Sequence, residues 1–113
     1  MKQETIVVPG CKGTTVREIF SNGQIQIMKV DVAAQGEIPM HAHDTAATMI
    51  VVEGSATALG KSCRYVKKGD VVVKEANEAH GFSGITQPFS FISVSNGEGI
   101  MHDHGKAWDL KYL

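Results

Sequence analysis

Between its glycines the chain is a series of short segments in which apolar and polar positions alternate or β-branched residues crowd together. In order they are "TTVREIF", "QIQIMKVDV", "TMIVVEG", "SATAL", "CRYVKKG", "DVVVKE" and "FSFISVS". A side-chain period of two puts alternate residues on opposite faces of a strand. Asn22-Gly23, Gly36, Glu53-Gly54, Leu59-Gly60, Gly69-Asp70, Gly84 and Asn96-Gly97 punctuate these runs as turn signals. Short strands with turns at this rhythm predict an all-β sandwich or barrel. "REIFSNGQIQIMKV" reads as a hairpin whose Asn22-Gly23 suits a type I′ turn. No segment sustains a helical period, and the tail "KAWDLKYL", residues 106–113, is the best helix candidate.

Length and composition narrow this to one globular domain. A chain of 113 residues can close a real core, and no repeat or linker divides it. Its 12 acidic and 11 basic residues are scattered, which argues against a phosphate-tracking surface and so against a nucleic-acid partner. No apolar run reaches the roughly 18 residues that span a bilayer, so no membrane partner is expected. "MKQETIVVPG" lacks the basic-then-apolar pattern of a signal peptide, which makes the cytoplasm the expected setting. Cys11 and Cys63 form no CxxC pair and read as free thiols, Cys63 in the core.

Candidate chemistry begins at "MHAHDTAATMIVVEG", residues 40–54. In an extended strand His41 and His43 project from one face, close enough to share an ion. The same parity continues through Thr45, Ala47 and Met49, a small or apolar face that suits a pocket lining. His80 follows "DVVVKE" in a loop, "EANEAHGF", and reaches the same point if that strand pairs beside the first. Three imidazoles with coordination positions left open suit a divalent transition metal: Fe, Zn, Ni, Cu or Mn. An HxH pair alone is more often surface polarity, so the glycine framework around it matters. A second pair, His102 and His104, lies in "GIMHDHGKAW". It reads as additional ligands, as a closure over the barrel mouth, or as a solvated turn before Trp108.

With these residues in view, two segments resemble the paired motifs of the cupin superfamily. "GEIPMHAHDTAATMIVVEG", residues 36–54, resembles the first: a glycine, HxH, an acidic position and a closing glycine. "GDVVVKEANEAHGFSG", residues 69–84, resembles the second: Gly-Asp, a β run, a turn and a histidine. The resemblance implies a single cupin domain over 1–113, with a barrel core at about 14–96. That fold is a double-stranded β-helix, or jelly-roll barrel, with extended N- and C-terminal arms. It also implies a metal inside the barrel mouth, and a homodimer. The chain departs from the pattern where the family's acidic ligand falls on Ala47, and where the second motif's Pro and Gly become Glu75 and Asn77. Asn tolerates positive φ, so that turn can survive.

What is left is a three-histidine set of His41, His43 and His80, a pattern the resemblance links to some dioxygenases. Two functions from different classes follow. One is a metal-dependent dioxygenase or isomerase acting on a small chelating molecule. The other is a non-catalytic cupin that binds or senses a small ligand.

Overall fold

A computed structural model of the protein describes residues 5–96 and 110–113. Ten strands occur among them: β1 (Thr5–Val7), β2 (Lys12–Ser21), β3 (Ile25–Ala42), β4 (Ala47–Glu53), β5 (Ser55–Leu59), β6 (Arg64–Lys67), β7 (Val71–Lys74), β8 (His80–Ser83), β9 (Phe89–Asn96) and β10 (Lys111–Tyr112). All pairings are antiparallel. The first half of β3 lies in one sheet ordered β1-β2-β3-β9-β4-β7. Its second half lies in another, ordered β6-β5-β8-β3-β10. One strand of 18 residues thus joins the two sheets, and the fold is an all-β double-stranded β-helix.

The alternation predicted from sequence is realised as burial. Along β3, Gln26, Met28, Val30 and Val32 are buried while Ile27, Lys29 and Asp31 are not. In β4, Ala47, Met49 and Val51 face inward. Phe82, Phe89 and Phe91 fill the space between the sheets, with ring centroids 5.1 to 5.7 Å apart. The "SATAL" and "CRYVKKG" segments form the expected hairpin, β5 against β6.

Four local expectations differ from the structure. In the β2–β3 hairpin only Gly23 has positive φ (85°), whereas a type I′ turn needs positive φ at both central residues. Asn22 instead accepts the Gln24 and Ile25 N–H groups on its side-chain oxygen, an Asx-type closure. Cys63 is exposed in the β5–β6 turn and is not a core thiol. The described part of the tail is strand, because Lys111 and Tyr112 pair with Ala42 and His41 on the open edge of β3. Finally, His80 does not sit in a loop after β7. It opens β8, which pairs with β3 and β5, while β7 pairs with β4.

Beyond Val32, β3 changes direction. Gln35 takes a φ of 69° and its N–H donates to Ile85 O. Further on, Ile38 lies opposite Phe82 and His41 opposite His80, so that Pro39 and Met40 of β3 stand against Gly81 alone of β8. This bulge reverses the strand's parity, so both Ile38 and His41 point inward. Gly81 makes the bulge possible. A Cβ there would lie 2.5 Å from Ile38 O and 3.0 Å from the Pro39 carbonyl carbon.

Candidate metal centre

The bulge delivers His41 to the end of β3, and the β3–β4 turn carries His43 just past it. His80 stands directly opposite His41 on β8. The three rings face one another, with centroids 4.4 Å (His41–His80), 4.8 Å (His43–His80) and 5.8 Å (His41–His43) apart. All three side chains are buried. One ligand nitrogen from each lies within 4.8 Å of the others. Zn–N bonds of about 2.0–2.1 Å need nitrogens roughly 3–3.5 Å apart, so small ring rotations complete a site.

Each ring is held in the same way. His41 Nδ1 donates to Pro39 O at 2.8 Å, His43 Nδ1 to Thr45 O at 2.7 Å, and His80 Nδ1 to Glu78 O at 2.9 Å. A carbonyl only accepts, so each Nδ1 carries a proton, and in the neutral ring Nε2 is the nitrogen with a lone pair to give. Burial lowers the pKa of His41, and the neighbouring His43 lowers it further against the Pro39 hydrogen bond. Burial, with His41 second, takes His80 down to about 3. Both imidazoles are therefore neutral near pH 7, the form that binds a metal. Three buried, oriented imidazoles fit a first-row divalent ion by their chemistry.

Beside the rings is a cavity with about 60 Å³ open to the centre of a water molecule. A single water needs about 10–15 Å³ on this measure, so the space suits a few waters or a small organic group. Its walls are mostly apolar: Val8, Val16, Met28, Val30, Ile38, Met49, Phe82, Phe91 and Leu110, with Thr14, Ser93 and Cys11 as the other polar contacts.

The predicted lining is corrected in part. Met49 lines the cavity, but Thr45 and Ala47 do not. The parity rule assumed one continuous strand, whereas a turn separates His43 from β4. Thr45 serves through its backbone oxygen instead. Ala47 is buried between Ser95 and Lys74 on the flanking strands. Among the described residues no carboxylate joins the histidine cluster. Asp44 is turned away in an ion pair with Lys111. Asn77 adopts a φ of 63° as its turn requires, and its N–H donates to His43 O at 2.8 Å. His102 and His104 lie outside the described residues.

Sequence reasoning missed Lys74, Cys11, Leu110 and Tyr112. Lys74 follows the inward parity of Val72 in β7 and is buried, its Nζ 3.4 Å from Glu78 Oε2. That inward parity was the available signal. Leu110 and Tyr112 gave none, because only tertiary pairing places them beside the cavity.

No family model matches the chain, and no curated protein matches it either. Solved structures do. The polyketide cyclase RemF from Streptomyces resistomycificus is similar with a TM-score of 0.78 and 21% identity, over 98% of this chain and 80% of that one. An RmlC-like cupin from Shewanella frigidimarina is similar with a TM-score of 0.77 and 18% identity, over 86% of each chain. The DMSP lyase DddQ from Ruegeria pomeroyi is similar with a TM-score of 0.77 and 16% identity, over 88% of this chain and 59% of that one. At these identities the likeness is one of fold. The protein is thus an antiparallel β-barrel of the double-stranded β-helix class. More narrowly, it has the architecture of a small cupin domain.

Proposed function

We propose that His41, His43 and His80 hold one divalent transition metal, drawn from Fe, Zn, Ni, Cu and Mn, and that the adjoining cavity binds a small chelating molecule. One observation carries this reading: three buried rings converge, each with its Nδ1 held by a backbone carbonyl and one ring nitrogen within 4.8 Å of the others'. When bound, the ion would supply Lewis acidity toward a chelating oxygen or sulfur. The chain's own residues do the rest. The three rings bring no charge, so an anionic chelate meets the ion's full field. Val30, Met28, Phe82 and Phe91 exclude water and orient the apolar part of the ligand. The absence of a carboxylate from the cluster leaves more of the coordination sphere for that ligand.

The activity proposed is metal-dependent dioxygenation or isomerisation of a small molecule. Support for an enzyme comes from the similar folds that bear the names of a polyketide cyclase and a DMSP lyase. A non-catalytic binding or sensing role is favoured by a different observation. Among the described residues that line the cavity, Cys11 is the only titratable side chain besides the histidines, so acid–base groups are sparse among them.

Elemental analysis of protein purified without a histidine tag tests the centre. The expected result is one metal per chain, lost in the double variant His41→Ala/His43→Ala. Stoichiometry unchanged in that variant overturns the assignment. Oxygen consumption by the iron-loaded protein over a panel of thiols and diketones then separates dioxygenase from binder.

A further inference from the structure

The wall of the cavity on one side is not barrel. Leu110 lines it from the tail, and Val8 and Cys11 line it from the turn between β1 and β2. Those two segments are joined to each other by Tyr112. Its hydroxyl donates to Pro9 O and lies 3.3 Å from Cys11 Sγ. A phenol has one proton, and Pro9 O can only accept, so the thiol donates to the phenol oxygen. The same ring stands 5.8 Å from the His41 ring and opposite it in the β3–β10 ladder. Gly10 leaves the room for it: a Cβ there would lie 2.6 Å from the Tyr112 ring.

Among the described residues, the fastenings of this wall are short and exposed. The β10 ladder is two residues long, and Leu113 N–H adds a bond to Met40 O. Lys111 pairs with Asp44 in an exposed ion pair, of the kind that contributes little. Both residues of β10 are exposed, and among the described residues of the tail it is Leu110 that packs on the core. Segments held by short ladders and exposed pairs open locally at free energies far below global unfolding.

We propose that β10 is a latched wall of the metal pocket. Leu110 sets its width, Tyr112 fastens it to the Pro9–Cys11 turn, and its opening admits the metal and its ligand. This rests on the pocket being the metal site, yet the latch has a readout that needs no metal. Cys11 sits behind the latch, half-buried, while Cys63 is exposed and serves as an internal reference.

The first experiment labels the metal-free wild-type protein with iodoacetamide across low urea concentrations. Cys63 labels at once. Cys11 labels slowly and at a rate nearly independent of urea, because local opening exposes little surface. A Cys11 rate that follows the urea dependence of global unfolding overturns the latch. In Tyr112→Phe the Cys11 rate rises about fivefold, the effect of losing one ordinary hydrogen bond, with Cys63 unchanged. Burial raises the Cys11 pKa, so the thiol reacts chiefly from the opened state. Deletion of residues 110–113 frees Cys11 further. An unchanged Cys11 rate in both variants also overturns the latch.

The second experiment follows zinc release to a chelator. Release is faster in Tyr112→Phe and Leu110→Ala than in wild type. Equal release rates alongside faster Cys11 labelling overturn the gating role. Failure of the wild type to bind zinc would count against the metal reading alone, since Cys11 labelling still decides the latch.

Discussion

At the scale of single residues, the site's character comes from burying imidazoles in the neutral form. His80 is pulled down to about 3 by burial and by its neighbour His41, and His41 shifts the same way. In the unfolded chain a histidine titrates near 6.5. Above that pH neither state binds the extra proton, and the native contribution is complete. As pH falls from about 6.5 toward 3, the unfolded chain takes up protons that the folded one refuses, so stability drops. For His80 alone the loss at pH 5 is about 2 kcal/mol. Urea unfolding of chelator-treated protein at pH 7 and pH 5 should show the midpoint falling. In His80→Gln the fall should be smaller. Equal pH dependence in the variant and the wild type would mean that His80 is not held neutral.

At the scale of elements, the backbone bulge in β3 is what turns His41 toward His43 and His80. Gly81 lies beneath it with Ile38 O 2.5 Å from where a Cβ would be, and the overlap involves backbone, which cannot rotate away. Gly81→Ala should therefore cost about 2–3 kcal/mol in urea unfolding, and should weaken zinc binding by moving His41 off the common point. Full zinc affinity in that variant would show that the bulge does not position the ring. This bulge also marks where sequence reading stops. The seven alternating runs became strands because alternation records burial directly. Gly36 was read as a turn signal, and it and Pro39 are residue types that ordinarily weaken or end a strand. Here they occupy the corner and the bulge of one 18-residue strand. His41, His43 and His80 were identified correctly as a group, but by a parity that does not hold. Two of them owe their aim to a bulge and a turn, which no period of two encodes. For β8 the four-residue "HGFS" was too short and too glycine-rich to stand out. Lys111 and Tyr112 pair only because β3 offers a free edge, which is a property of the finished sheet.

At the scale of the whole molecule, the three histidines meet only when the barrel is complete. His41 ends β3 with His43 in the turn just after it, and His80 arrives after β4, the β5–β6 hairpin and β7 have been laid down between them. Local chain order cannot assemble such a set, so the unfolded chain offers nothing comparable to bind an ion. Any metal bound by the native state must then stabilise the global fold through mass action. At a free metal concentration of about 100 times Kd the gain is about 2.7 kcal/mol. For a domain of this size that corresponds to a rise in Tm of roughly 10 °C. Scanning calorimetry with and without zinc should show that shift in the wild type, and none in His41→Ala/His43→Ala. The two variants Tyr112→Phe and Leu110→Ala should keep most of it, because a latch governs how fast the ion passes and the three rings govern how tightly it is held. A wild-type shift that survives removal of His41 and His43 would locate the ion elsewhere. A shift lost equally in the latch variants would make β10 part of the binding site itself.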